Sequence, residues 1–226
     1  MSCQAFSGLV GNIITDVCCL ELEVNNAQVG YSANVLNTTC LGSQTQPIRN
    51  QSATYMFLLG NEELAHFLGY SYITYNKHWK QYTNIKKENS TIFKKLEMFI
   101  ESQNFVNYQS YIPLYVGETD DFQQRYNQFQ YTLNNNCNGN HVFGENFCSY
   151  LDDLSQANSL RQYSMKMCLV VFYTQTKAQA VYIESSILNQ TDPIFNNNKP
   201  KFSQPQPFPQ IANSIIQTIQ NLQSCP

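Results

Sequence analysis

Apolar side chains recur along much of this chain at alternating steps of three and four, the spacing that aligns one face of an α helix. Phe6, Val10, Ile13, Val17, Leu20, Val24, Ala27 and Tyr31 open the pattern and predict a helix over about 5–35. The same stretch is rich in β-branched residues and contains Gly8, Gly11 and Gly30, which weaken helix; a strand hairpin around "EVNNAQVGYS" is the alternative. A Ser/Thr/Gln/Pro connector follows at about 37–52. Leu64, Leu68, Tyr72, Tyr75, Trp79, Tyr82 and Ile85 form a second seam, with Asn61 as N-cap and Glu62 and Glu63 in a first turn whose dipole favours anions. Ile92, Phe93, Leu96, Phe99 and Ile100 continue it beyond the polar "ENST" at 88–91, and Pro113 and Gly117 end the region.

Thr119 with Asp120 and Asp121 reads as the capped start of another helix, striped by Phe122, Tyr126, Phe129 and Leu133 and stopped by "NNNCNGN". A long helix is expected over about 145–188, along Phe147, Leu151, Leu154, Leu160, Met167, Val171, Ala178, Val181 and Tyr182. The segment "NNNKPKFSQPQPFPQ" has polyproline-like linker chemistry. A short amphipathic helix with Ile211, Ile215, Ile219 and Leu222 on one face closes the chain. The pattern predicts an all-α fold: an antiparallel bundle of four to five helices, two of them long, stapled by disulfides. Residues 1–192 would form the bundle domain and 193–226 an extended tail with its short helix.

Eight cysteines change the picture more than any other residue type: Cys3, Cys18, Cys19, Cys40, Cys137, Cys148, Cys168 and Cys225. Zinc sites commonly show a C-x2–4-C knuckle, because both thiolates must reach one small ion. Here Cys18 and Cys19 are adjacent and ten residues separate Cys137 from Cys148, so neither a zinc knuckle nor a C-x-x-C redox pair is present. His141, alone between Cys137 and Cys148, does not complete a metal site. An even, high cysteine count predicts that all eight enter disulfides, with the Cys137–Cys148 bond closing a Gly/Asn loop, Cys18 and Cys19 tying in different directions, and Cys225 pinning the tail. Such chemistry places the protein in an oxidising space, extracellular or at the cell surface.

Four glycosylation triplets begin at Asn37, Asn50, Asn89 and Asn189. With 26 asparagines and 32 serines plus threonines in 226 residues, chance alone places about 3.7 of them. They permit N-linked glycan without arguing for it.

Charged residues are only 13% of the chain although its mean hydropathy is −0.37, so the polarity comes from Asn, Gln, Ser, Thr and Tyr. A neutral, hydrogen-bonding surface gains little solubility from charge repulsion and favours self-association or glycan. The composition is of the kind an AT-rich protist genome encodes, which says nothing of function. A net charge of −3 argues against a nucleic-acid partner. Lys86, Lys87, Lys94 and Lys95 read as a solvated helix face. Arg49 is the first basic residue after the amino terminus, which speaks against a transit peptide or a signal n-region at the start. The longest wholly apolar run, "CLVVFY" at 168–173, is far short of the roughly 20 residues that span a bilayer, so no membrane span is expected.

Candidate chemistry is sparse. Glu63 and His66 form one E-x-x-H, but a di-iron bundle needs a second copy and two further glutamates. His78 has no such partner. Asp120-Asp121 and Asp152-Asp153 could act as acid and base, though helix capping explains each more simply. There is no phosphate loop, nucleophile elbow or dinucleotide fingerprint. No catalytic residue, metal or cofactor is therefore assigned. The expected function is non-enzymatic: an extracellular, disulfide-linked structural or assembly protein, such as a surface-coat, fibre or adhesive subunit. Its partners would be copies of itself or other surface proteins, contacted through Phe202, Phe208, Ile211 and Ile215 near the C terminus. The alternative is a ligand-binding or sensory helical-bundle ectodomain, or a secreted binding protein. An aromatic-lined cavity would favour that alternative, and a solid core would favour assembly.

Overall fold

Five antiparallel strands organise the chain, and the expected helical bundle is not what it forms. The computed structural model describes residues 3–11, 13–26, 30–42, 44, 46–60, 111–158, 164–196 and 209–221. The strands are β1 (Ile14–Asn26), β2 (Tyr31–Cys40), β3 (Ala53–Gly60), β4 (Tyr111–Thr119) and β5 (Ser164–Thr174), in the sheet order β2-β1-β5-β3-β4. A 3-10 helix covers Cys3–Leu9. The described α helices are α1 (Phe122–Asn134), α2 (Val142–Asn158), α3 (Lys177–Leu188) and α4 (Pro209–Asn221).

Both faces of the sheet are covered, and this explains why the helical reading failed. On one face Leu20, Leu22, Tyr55, Phe57, Leu169 and Val171 meet α1 and α2 through Phe122, Phe129, Phe143 and Phe147. On the other, Val17, Met56, Val170 and Phe172 meet Phe6 of the 3-10 helix, Ile183 and Ile187 of α3, and Ile215 and Ile219 of α4. A strand buried on both sides is apolar almost throughout, without strict alternation. Periodicity cannot distinguish such a run from part of a buried helix. The helix expected over 5–35 is instead the 3-10 helix followed by the β1–β2 hairpin, the alternative at "EVNNAQVGYS". The helix expected over 145–188 contains most of α2, all of β5 and α3. Pro113 and Gly117 lie within β4, an edge strand that tolerates proline.

Two helices form where their sequence signals stand. Asp121 caps α1, accepting the Gln124 N–H at 2.9 Å, and Phe122, Tyr126, Phe129 and Leu133 are its buried stripe. In α4, Ile215 and Ile219 face the core. The second expected seam, with Glu63, His66 and His78, falls outside the described residues.

The two sheet edges differ. Beside β4, the Phe195 N–H donates to the Leu114 carbonyl at 2.8 Å. The Asn196 amide exchanges two 2.8 Å hydrogen bonds with the Val116 backbone. Thus Ile194–Asn196, which opens the segment expected to be a separate tail, covers that edge. At β2, Asn34, Val35, Leu36 and Asn37 are exposed, and among the described residues no strand pairs with its outer side.

Candidate functional site

The cysteines follow the alternation of strand side chains. Cys18 and Cys19 are neighbours on β1 and point to opposite faces. Cys18 is bonded to Cys40 across the β1–β2 register, and Cys137 is bonded to Cys148 between α1 and α2. Cys3, Cys19 and Cys168 stand buried outside these bonds, unlike the complete pairing expected, and Cys225 lies outside the described residues.

Each disulfide has an aspartate beside it. Asp16 lies 3.8 Å from the Cys18 sulfur, accepts Arg49 Nη2 and the Gly42 N–H, both at 2.6 Å, and is almost completely buried. The Arg49 guanidinium stands 3.9 Å above the Tyr173 ring, whose hydroxyl donates to the Pro47 carbonyl at 2.6 Å. Burial pushes the Tyr173 pKa up to about 12 despite Arg49. Asp152 accepts the Tyr31 hydroxyl at 2.7 Å and lies 3.5 Å from Cys137. It sits within α2, so the helix-start explanation for Asp152 fails, while Asp121 is a cap. The Asp120 side chain makes an exposed 3.7 Å pair with Lys177. Asp153 has no described side-chain placement.

Among the described residues, two sets of ligating atoms are close enough to share a metal: Asp16 with Cys18 and Cys40, and Asp152 with Cys137 and Cys148. In both, the sulfurs are bonded to each other and lack the thiolate charge that binds zinc. His141 belongs to neither set. It packs into the core, where the Gly144 N–H donates to Nδ1 at 3.2 Å and Nε2 lies 3.4 Å from the Tyr55 hydroxyl. Burial, helped by the charge of Arg125, lowers its pKa to about 3. The surrounding rings pack against one another: Phe57 lies 4.3 Å from Phe143 and 4.8 Å from Phe129, centroid to centroid.

The predicted surface residues divide. Asn37, Asn50 and Asn189 are all exposed; Asn89, Phe202 and Phe208 lie outside the described residues. Ile211 is half-buried and Ile215 fully buried against this chain's own core, so in this arrangement Ile215 does not face an adjacent copy.

Sequence reasoning missed the outer side of β2. Val35 is 42% and Leu36 47% exposed. Leu36 is the extra residue where the register shifts between the Glu21–Asn37 and Leu22–Val35 pairs. The strand is held at both ends: Gln130 Nε2 donates to the Ala33 carbonyl at 2.7 Å, and Cys40 is bonded to Cys18. None of the residues in "YSANVLNTTC" is charged. Two adjacent apolar residues at the end of the expected first helix, just before the polar connector, were the available signal. Comparison with protein-family models, curated proteins and solved structures finds no match to this chain. Among the described residues, no helix is long and apolar enough to cross a membrane.

Proposed function

We propose that this is a non-enzymatic structural or assembly protein of the extracellular space or cell surface, self-associating through the outer edge of β2. The observation that carries the reading is the pinned, uncharged strand with Val35 and Leu36 exposed. An open edge offers backbone donors and acceptors to another strand. Two copies can meet there about a two-fold axis without opposing charges. The reading names β2 rather than the C-terminal anchors, of which Ile215 is buried within its own chain, Ile211 is half-buried, and Phe202 and Phe208 lie outside the described residues. The bulge at Leu36 interrupts the edge and limits the pairing to a short stretch.

Two further observations support the reading. The disulfides fit an oxidising compartment. Between the sheet and α1 and α2, Phe57, Phe129 and Phe143 pack ring against ring, as in a scaffold's core. Sedimentation velocity on the unglycosylated chain tests the proposal. A dimer or larger species should form as concentration rises and be lost in Val35→Glu/Leu36→Glu. A strict monomer throughout, or association untouched by these substitutions, rejects β2 as the contact.

A further inference from the structure

On the side of β1 opposite the Cys18–Cys40 bond, three sulfurs are gathered. Cys19 on β1, Cys168 on β5 and Cys3 on the 3-10 helix all lie in the buried cluster on that face. Cys3 also donates to the Val17 carbonyl at 3.3 Å. We propose that Cys3 and Cys19 form a third disulfide, fastening the N-terminal 3-10 helix to β1; this rests on the oxidising location proposed above.

The strand register decides between the two neighbours of Cys19. Cys19 is opposite Val170, and Cys168 is opposite Glu21, so Cys19 and Cys168 are diagonal on their face. Diagonal partners stand roughly 7–8 Å apart, whereas bonded cysteines need Cα atoms within about 6.8 Å. Neither strand can shift easily, because β1 lies between β2 and β5, and β5 between β1 and β3. Cys3 is on a short terminal element outside the sheet. Phe6 of the same element packs edge-on against Phe172, 5.6 Å between ring centroids, which keeps that element over the same face. Small movements of the 3-10 helix can therefore bring Cys3 into bonding geometry while the strands stay fixed.

The chemistry is a two-electron oxidation by a disulfide-bearing oxidant. The Cys3 and Cys19 thiols give up two protons and two electrons, one sulfur–sulfur bond forms between them, and the oxidant's bond is reduced to two thiols. Burial and the neighbouring thiols hold Cys19 in its protonated form, so exchange belongs to folding, before the site closes.

The test is to refold the full chain with a mixture of reduced and oxidised glutathione and map its peptides without reduction. Partial reduction with differential alkylation separates Cys18 from adjacent Cys19. A Cys3–Cys19 link is expected beside Cys18–Cys40 and Cys137–Cys148. Cys3 recovered as a thiol, or Cys19 linked to Cys168, overturns the proposal. The Cys18→Ala/Cys40→Ala variant gives a second readout, because Cys19 is then the only cysteine in its strand and should still be found joined to Cys3. The same mapping on protein from its native source separates the two readings: the link formed on refolding but with every cysteine a thiol in the native protein would reject the oxidising location and the bond's occurrence there, while upholding the pairing geometry.

Discussion

Arg49 and Asp16 meet at 2.6 Å beside the Cys18–Cys40 bond, and Asp16 depends on Arg49 more than Arg49 depends on Asp16. The Asp16 side chain is 4% exposed and the Arg49 side chain 12%. Arg49 also lies over the Tyr173 ring, so its charge keeps an aromatic face when the carboxylate is lost. Asp16 without Arg49 keeps only the Gly42 N–H and a distant sulfur.

The substitutions should therefore be unequal. Arg49→Met strands a buried carboxylate and should cost about 3–5 kcal/mol, the usual penalty for breaking a buried pair from one side. Asp16→Asn retains an acceptor for Gly42 and should cost clearly less. Urea unfolding of both variants measures the difference, and equal losses would show that Arg49 depends on Asp16 as strongly as Asp16 depends on it.

The sequence revealed what repeats at helical spacing and concealed what is buried on two sides. In α1 the cap at Asp121 and the stripe through Leu133 were legible because one face of that helix is solvated. In β5 the run "CLVVFY" gave no alternation because helices cover both faces of the sheet. The chemistry of the cysteines was partly legible: a short loop predicted Cys137–Cys148, but the fate of Cys19 depends on a register that no local pattern encodes. Arg49 and Asp16 are separated by 33 positions, and their meeting follows only from the folded sheet.

His141 should make the protein sensitive to acid. Its folded pKa, about 3, lies below the ordinary value of 6.5, so the unfolded chain binds this proton first. Its contribution is fully present above about pH 6.5 and falls as pH drops toward 3, by about 1.4 kcal/mol per pH unit in mid-range. His141→Gln keeps an acceptor near Gly144 without titrating. Unfolding free energies measured from pH 7 to 4 should lose one proton's worth of slope in this variant. An unchanged slope would assign the acid sensitivity to other groups.

The Cys137–Cys148 bond closes a turn in which Asn136 and Cys137 both have positive φ, 52° and 64°. Side chains other than glycine adopt that region reluctantly. Cys137→Ser/Cys148→Ser should lower stability by roughly 2–4 kcal/mol, mainly by freeing the unfolded chain. The first effect should be local: limited proteolysis should cut within 134–140 before the sheet opens. Cleavage elsewhere at the same rate would show that the bond stabilises the fold only globally.

Asn37 presents two incompatible uses of one strand. Its side chain is exposed on β2, beside Leu36, and it begins an acceptor triplet with Thr38 and Thr39. A glycan there would stand at the edge where a second copy is proposed to pair, and bulk at an edge opposes strand addition. Glycans at Asn50 or Asn189 would lie outside β2. Protein made with sugar at Asn37 should therefore remain monomeric, while enzymatic removal of the sugar, or Asn37→Gln, should release association. Protein carrying sugar only at Asn189 should associate like the bare chain. Equal association with and without sugar at Asn37 would place the self-contact on another surface.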